Sequence, residues 1–298
     1  FAKGISMLRQ FDNYLCSLPQ NTTELTKEIV LEWTKRKSFE ATSTQLGRIS
    51  LMRGLAEYMS RMGKKAYIYP KSLVTVNRYS YTPYIFSKKE IASIFYACDN
   101  FPASKESPNR QIILSLVIRM IYGCGLRISE AVNLTVSDVN LNEGTIFIKD
   151  TKFGKERLIP MADTLKKRCR EYSILVLTGK SDTSYFFPSP FGGHYKSNTI
   201  YGLFRKVLWA AGISHTGKGP RLHDMRHTYA VHCLKKWALA NRDMTNCMPY
   251  LSAYLGHEDL RGSQRYLRLT ADLYPDITSK VEKNCSWLIP EVNWHETY

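Results

Sequence analysis

Residues 123–130 read Gly-Cys-Gly-Leu-Arg-Ile-Ser-Glu, and they separate two stretches of helical periodicity. Before them, apolar side chains recur at helical spacing over about residues 108–122, and the two glycines end that pattern. After them, a short helix is predicted over about residues 129–134. The break between the two helices therefore places a cationic side chain, Arg127, at the start of a new helix.

Farther along the chain, the helical period gives way to alternation of apolar and polar residues. Residues 144–150 and 156–161 predict the two strands of a β-hairpin, joined by a turn at 151–155. Helical periods then return over about 162–177, 198–211, 223–237, 246–255 and 262–269. The sequence predicts a fold that is mainly α with a small antiparallel β-sheet.

The beginning of the chain has a separate helical pattern. Helices are predicted over about residues 5–18, 24–35 and 42–61. Their polar faces carry basic side chains that include Arg48 and Arg61, and such a face either is only solvated or contacts an anionic partner. The pattern is lost near Pro70 and Pro83, and the capping-box sequence Ser87-Lys-Lys-Glu90 opens the next helix. We therefore assign residues 1–75 to one domain, 76–86 to a linker, 87–278 to a second domain and 279–298 to a C-terminal segment.

The chain is strongly basic, with 42 Lys and Arg against 26 Asp and Glu and a net charge of +16. The excess is spread along the chain, because residues 1–80 already contain 13 of the cations and only 6 of the anions. A hydrophobic content of 44% excludes a disordered polycation, and no apolar run approaches the roughly 20 residues that cross a bilayer. This charge favours nucleic acid over an anionic membrane as the partner.

The cysteines and histidines argue against disulfide and metal chemistry. Seven cysteines are scattered without a CxxC pair, which predicts reduced thiols in a cytosolic setting. His223 and His227 are four residues apart, but the Glu of the H-E-x-x-H zinc motif is missing. We therefore expect no metal and no other cofactor, and we expect His227 to be packed or hydrogen-bonded beneath a site.

Four short segments each place a cation or a nucleophile beside a break in the backbone. They contribute Arg127, Lys152 in the hairpin turn, His223 and Arg226 in residues 222–227, and His257, which Tyr266 follows nine residues later. Any one of them alone is more often a surface or capping residue. Together they suit a phosphodiester: guanidinium groups match the charge on the phosphate oxygens, a phenol can attack phosphorus and leave again, and a lysine can protonate the leaving oxygen.

This ordered set resembles the motifs of the tyrosine recombinases, the phage-integrase family: G-L-R-x-S-E, a hairpin lysine, H-x-x-R-H, L-G-H and a tyrosine nine residues later. The resemblance covers about residues 83–275, including Pro-Tyr-Ile-Phe-Ser at 83–87, which is similar to the entry to the family's catalytic domain. Residues 1–75 resemble the family only as a small helical core-binding domain. The resemblance implies a two-domain clamp around double-stranded DNA, with an α/β catalytic domain following the core-binding domain.

The resemblance also implies roles for the site residues. Arg127 and Arg226 would hold the scissile phosphate, with His257 as a third donor. His223 would assist proton transfer from the phenol of Tyr266, which would attack phosphorus and form a 3′-phosphotyrosyl link.

The general acid is the one role that stays open between two lysines. By resemblance, Lys152 would protonate the leaving 5′ oxygen. Phe153 and Gly154 depart from the turn pattern common in the family, however, so Lys155 remains the alternative.

A tetramer on two DNA duplexes is the assembly that the resemblance implies, acting in the cytoplasm at the nucleoid and not at a membrane, with a possible accessory excision factor. The apolar stretch 287–290, Trp-Leu-Ile-Pro, lies in the C-terminal segment. This segment is expected to dock on a neighbouring protomer, and the alternative is that it folds back on its own core.

Several functions share this chemistry. The resemblance favours a site-specific recombinase that integrates, excises or transposes a mobile element. The alternatives are a chromosome-dimer-resolving recombinase, a type IB topoisomerase-like or telomere-resolving enzyme, and a non-catalytic DNA-binding regulator. The presence of all six candidate residues argues against the regulator.

Overall fold

The computed structural model describes residues 2–19, 24–71, 82–149, 156–217, 219–257 and 261–273. The contacts of the chain divide it into two compact units, Phe1–Thr82 and Pro83–Tyr298. In the described parts of the chain, none of the helices combines the length and the apolar character needed to cross a membrane.

The first unit contains the three predicted helices, α1 (Ala2–Cys16), α2 (Lys27–Thr34) and α3 (Thr42–Arg61). Their apolar stripes meet in a small core that includes Phe11, Trp33 and Met52. Residues beyond α3 return to the start of α2, where Tyr67 donates its backbone N–H to the carbonyl of Leu25 at 2.8 Å.

The placement of Arg48 on an exposed polar face of α3 was wrong, because its side chain is only 5% exposed. Its guanidinium donates to the carbonyl oxygens of Trp33 and Lys35 and to the carboxylate of Glu40. The last carbonyls of a helix have no partner within the helix, so a buried cation that crosses the end of α2 satisfies them. Arg48 therefore stabilises the first unit, whereas Arg61 is exposed as expected.

The second unit begins earlier than the sequence predicted. Phe86 is fully buried in its core and donates its backbone N–H to Oγ1 of Thr228 at 3.1 Å. Residues 83–86, which the sequence assigned to the linker, therefore lie within the second unit, and the other linker residues fall largely outside the described ranges. The predicted capping box is present, with Ser87 and Glu90 bonding to each other's backbone N–H.

The elements of the second unit follow the predicted order. They are α4 (Lys88–Asp99), α5 (Arg110–Gly123), α6 (Ile128–Asn133), β1 (Val139–Asn140), β2 (Thr145–Ile148), β3 (Arg157–Pro160), α7 (Asp163–Tyr172), α8 (Ser197–Ala210), α9 (Asp224–Leu239), α10 (Met244–Leu255) and α11 (Arg261–Leu273). The fold is mainly α with a small antiparallel sheet, as predicted.

The sheet has the order β1-β2-β3 and is antiparallel throughout. Ile146 of β2 pairs with Ile159 of β3, and both side chains are fully buried. The short strand β1 was not predicted, since two residues carry no detectable alternation. The turn between β2 and β3 lies outside the described residues.

Helix α5 lies at the centre of the second unit, packed against α4, α7 and α9. A separate apolar cluster joins α9, α10 and α11, and Tyr266 on α11 belongs to it, together with Leu234 and Leu255. The predicted nucleophile is therefore held by packing between three helices.

Candidate active site

Gly125 shapes the break between α5 and α6. Its φ of +59° lies in the left-handed region, and a Cβ at this position would be 2.7 Å from a methyl carbon of Leu255 and 2.8 Å from the ring of Tyr229. Only glycine fits between those side chains. The turn brings Arg127 to the first cap position of α6 and presents the carbonyl of Gly125 to Arg226.

Arg226 is the most deeply buried cation of the site, with 1% of its side chain exposed. Nη1 donates to the carbonyl of Gly125 at 2.6 Å, and Nη2 donates to the carbonyl of Leu255. Burial, followed by the charge of Arg127, lowers the pKa of Arg226 to about 10. The side chain remains a cation at neutral pH and is fixed in place before any ligand binds.

Arg127 and Arg157 share one buried carboxylate, Glu130. Arg127 donates from Nη1 to Oε1 at 2.6 Å, and Arg157 donates from Nη2 to Oε2 at 2.8 Å. Burial alone would raise the pKa of Glu130, but the hydrogen bonds from Arg157 and Arg127 outweigh it and hold the pKa below its ordinary value. Glu130 is therefore an anion that orients two arginines.

The Leu-Gly-His turn is held by the same two arginines. Arg157 donates from Nε to the carbonyl of Tyr254 at 3.0 Å, and Arg127 donates from Nη2 to the carbonyl of Gly256 at 3.1 Å. A Cβ on Gly256 would lie 2.7 Å from Nη1 of Arg157, so this position also requires glycine. The turn that carries His257 is thus tied to both α6 and β3.

Sequence reasoning gave Arg157 no role, although the residue lies on the second predicted strand of the hairpin. The signal that could have found it is its position on a predicted strand directly after the turn that carries Lys152. An arginine there lies on the strand that leads out of the hairpin turn and reaches Glu130 of the site.

His257 lies over the ring of Tyr266, with ring centroids 6.0 Å apart and planes at 21°. Its Nδ1 is hydrogen-bonded to Oγ of Ser263, a fully buried residue of α11, at 2.8 Å. This bond fixes the orientation of the imidazole.

Tyr266 is 2% exposed, and its hydroxyl lies 2.9 Å from Nδ1 of His227. Burial raises the pKa of Tyr266, and the nearby charges of Arg226 and Arg265 oppose that rise. The phenol is therefore protonated at neutral pH. His227 is hydrogen-bonded beneath the site, in the way that the sequence suggested.

His223 and His227 lie one turn apart at the start of α9, with ring centroids 4.7 Å apart and planes at 86°. Desolvation by the surrounding protein, followed by the charges of Arg226 and Arg127, lowers the pKa of His223 to about 4. Burial, followed by His223, lowers the pKa of His227 to about 3. Both rings are neutral at neutral pH in the free protein.

The structure thus brings five of the six predicted site residues into one connected group: Arg127, His223, Arg226, His257 and Tyr266. The sixth, Lys152, and its alternative, Lys155, lie outside the described residues. A cleft of about 720 Å³ opens beside Arg127 and is also lined by Ser129 and Asn133.

The connected group has the chemistry of an anion-binding site beside a phenol. Where the chain is described, its His, Cys, Asp and Glu side chains form no group of three or more that could hold a metal ion. Two fixed guanidinium groups and an imidazole converge near one hydroxyl, and paired donors of this kind match the oxygens of a phosphate.

Comparisons with known proteins show which family the chain resembles. The profile of the phage integrase family matches residues 85–272. A Sinorhizobium fredii protein named as an integrase/recombinase, y4rB, is 30% identical over 277 residues, which cover 88% of this chain and 86% of that protein. The tyrosine recombinase XerC of Oceanobacillus iheyensis is 31% identical over 162 residues, 52% of this chain and 49% of that protein.

A solved structure shares the fold over almost the whole length. The integrase of the Tn1549 transposon, in complex with transposon right-end DNA, aligns with a TM-score of 0.64 at 17% identity, covering 96% of this chain and 93% of that chain.

Proposed function

This chain belongs to the phage integrase family of tyrosine recombinases, enzymes that cleave and rejoin DNA, and we propose that Tyr266 is the nucleophile with which it does so. The observation that carries the proposal is the position of the Tyr266 hydroxyl, in one connected group with Arg226, Arg127 and His257. Those cations and donors suit a phosphodiester held beside the phenol.

In the proposed reaction, the scissile phosphate binds to Arg127, Arg226 and His257. The two guanidinium groups are fixed by backbone carbonyls and by Glu130, so little reorganisation is needed when charge grows on the non-bridging oxygens. The phenol oxygen of Tyr266 attacks phosphorus, the bond to the 5′ oxygen breaks, and a 3′-phosphotyrosyl link forms.

Two protons move in this step. The phenol loses one proton, and His223 assists that transfer, as the resemblance implies. The leaving 5′ oxygen takes the other proton from Lys152, which we favour over Lys155. The link retains the energy of the broken bond, so the 5′ hydroxyl of a partner strand can attack it and restore a phosphodiester without a nucleotide cofactor.

We further propose that the enzyme recombines sites of a mobile element, by integration, excision or transposition. The likeness to y4rB supports this role because it extends over most of both proteins, whereas the likeness to XerC covers about half of each. Four copies would act on two DNA duplexes at the nucleoid, with an accessory excision factor setting the direction. Resolution of chromosome dimers is the alternative that the likeness to XerC favours.

A covalent trap tests the nucleophile. Purified full-length protein is incubated with a random-sequence duplex library, attached DNA is recovered and sequenced, and a nicked substrate is made from the recovered site. We expect a protein–DNA adduct on a denaturing gel with wild type and none with Tyr266→Phe. Tyr250→Phe, an exposed tyrosine on α10, is the matched control and should behave as wild type. An adduct formed by Tyr266→Phe would refute the assignment.

A plasmid with two sites distinguishes recombination from simple relaxation of supercoils. A recombinase converts a supercoiled plasmid with two recovered sites into two circles or an inverted product, whereas a topoisomerase-like enzyme only relaxes it. We expect recombinant circles from the two-site plasmid and none from its one-site parent. Relaxation of both plasmids without recombinants would favour the topoisomerase alternative.

A further inference from the structure

The phenol of the proposed nucleophile touches a histidine that the proposed mechanism has not used. Nδ1 of His227 lies 2.9 Å from the hydroxyl of Tyr266, and the two ring planes are inclined at 52° with centroids 5.5 Å apart. The distance is within the range of a good hydrogen bond. His227 follows Arg226 directly, so the same first turn of α9 carries a phosphate-binding candidate and this contact to the phenol.

We propose that His227 is a catalytic residue, the proton acceptor for Tyr266. The proposal rests on the proposed function and assigns its first proton. As the phenol oxygen forms its bond to phosphorus, the phenolic proton passes to Nδ1 of His227, which becomes an imidazolium. The bond from phosphorus to the 5′ oxygen breaks, and that oxygen takes its proton from Lys152. When the link is resealed, His227 returns the proton to the phenol.

The position of His223 fits a supporting role in this scheme. Its ring meets that of His227 edge to face, with centroids 4.7 Å apart, whereas His227 makes the hydrogen bond to the phenol. His223 therefore assists the transfer by holding the acceptor ring against the nucleophile.

The titratable and charged groups that face His227 come from three parts of the fold: His223 and Arg226 on α9, Arg265 on α11, and His257 in the turn between α10 and α11. In the free protein, burial and these groups lower the pKa of His227 to about 3, so the ring is a poor base. A bound phosphate adds negative charge beside the same arginines. It therefore raises the pKa of His227, and the acceptor becomes effective only when DNA is in place.

The fold contains a matched pair that serves as a control. His232 lies on the same helix, and its Nδ1 is 2.9 Å from the hydroxyl of Tyr122, the same distance as in the pair at the site. Neither residue belongs to the connected group of the site. His232→Asn therefore removes a histidine from an equivalent tyrosine contact without touching the reaction.

The first test is His227→Asn, because the amide oxygen of Asn can take the place of Nδ1 and accept a hydrogen bond but cannot hold the proton. Single-turnover cleavage of the nicked substrate should fall by about 10²- to 10⁴-fold, the usual range for a lost general base. DNA affinity should stay unchanged. Wild type should lose rate at acidic pH as His227 becomes protonated, and this loss should be absent from His227→Asn. His232→Asn should keep the wild-type rate and pH profile.

A substrate with sulfur in place of the bridging 5′ oxygen separates the two protons. A thiolate leaves without a proton, so this substrate should restore cleavage by Lys152→Ala while the deficit of His227→Asn remains. If sulfur restores His227→Asn, His227 acts on the leaving group and the proposal is wrong. If His227→Asn cleaves the ordinary substrate as fast as wild type or faster, the contact only holds the phenol in place and the proposal is also wrong.

A substitute variant and a comparison with wild type keep these outcomes distinct. If thermal melting shows that His227→Asn does not fold, His227→Gln replaces it under the same criteria. If wild type forms the Tyr266 adduct while His227→Asn reacts at the same rate, only this inference fails. If wild type forms no adduct at all, the proposed function itself fails.

Discussion

Arg157 on β3 donates two hydrogen bonds to the carboxylate of Glu130 on α6, Nη1 to Oε1 at 3.2 Å and Nη2 to Oε2 at 2.8 Å. Glu130 in turn accepts a hydrogen bond from Arg127 at 2.6 Å. One carboxylate therefore connects the strand that follows the Lys152 turn to an arginine proposed to hold phosphate. The position of Arg127, and with it the proposed phosphate site, depends on Arg157, which need not touch DNA.

The substitution Arg157→Gln should lower both the free energy of unfolding and the rate of DNA cleavage. The side chains of Arg157 and Glu130 are 9% and 6% exposed, and removing one partner of a buried pair costs about 3–5 kcal/mol. Urea unfolding should show this loss. Arg168→Gln, which breaks a pair with Asp99 that is 49% and 40% exposed, is the control and should cost no more than about 1 kcal/mol.

Arg157 should affect catalysis through Arg127, because both arginines bind Glu130. A methylphosphonate at the scissile position removes the charge that Arg127 is proposed to neutralise. We therefore expect Arg157→Gln to slow cleavage of the ordinary phosphate much more than cleavage of the methylphosphonate. Equal slowing on both substrates would show that Arg157 has only a structural role.

A methyl group at the break between α5 and α6 should be costly. In Gly125→Ala, the new Cβ meets Leu255 at 2.7 Å and Tyr229 at 2.8 Å, and the residue must keep a φ of +59°. Strain of this kind costs about 1–3 kcal/mol before the steric overlap is added. Urea unfolding should therefore show a loss of at least about 2 kcal/mol, and cleavage should fall because the carbonyl of Gly125 orients Arg226.

Gly202→Ala is the control for that substitution. Gly202 lies within α8, and a Cβ there meets nothing within 4 Å. Alanine in a helix interior is favoured over glycine by about 1 kcal/mol, so this variant should be more stable than wild type. Equal stability changes in the two variants would contradict the steric account of Gly125.

The elements of the fold were predictable because their signals are local. The helices on both sides of Gly125, the capping box at Ser87 and the two longer strands each depend on residues close together in sequence. The site motifs were recognisable for the same reason, since each is a short segment beside a turn. The strand β1 was missed because its two residues are too few to show the alternation of apolar and polar side chains that predicts a strand.

The contacts between distant segments could not be predicted. Arg157 and Glu130 are 27 residues apart, and His227 and Tyr266 are 39 apart, so neither pairing leaves a periodic trace. Arg48 was expected on an exposed polar face because its spacing in α3 is that of a polar residue. It is buried because the end of α2 leaves carbonyls nearby that need a donor, which only the tertiary structure reveals.

Arg48 provides a stability test within the first unit. Arg48→Met removes the donor to two carbonyls and leaves Glu40, whose side chain is 7% exposed, as a buried anion without its main partner. We expect the free energy of unfolding of the first unit to fall, because the carbonyls and the carboxylate lose their shared donor. Hydrogen exchange of the α2 and α3 amides in the full-length protein should accelerate accordingly. Arg61→Met, on the exposed end of α3, should leave their exchange unchanged.

Acid should destabilise the free protein through the site histidines. His227 has a pKa of about 3 in the folded chain against an ordinary value of 6.5. Between those values, the unfolded chain takes up a proton that the folded chain does not, so stability falls as the pH drops below about 6.5. Glu130 acts at lower pH, because its pKa lies below 4.5 in the folded chain and its stabilisation is lost as the pH falls past that value.

Urea midpoints measured from pH 8 to pH 4.5 test the histidine contribution in isolation from Glu130. One histidine can contribute at most about 1.4 kcal/mol per pH unit below its unfolded pKa. Wild type should lose stability steeply below about pH 6.5, and His227→Asn should lose it less steeply because the variant cannot titrate at this position. Above pH 7 the two curves should run parallel. Parallel curves over the whole range would mean that His227 accepts a proton in the folded protein as easily as in the unfolded one, which would contradict the burial of its ring among cations.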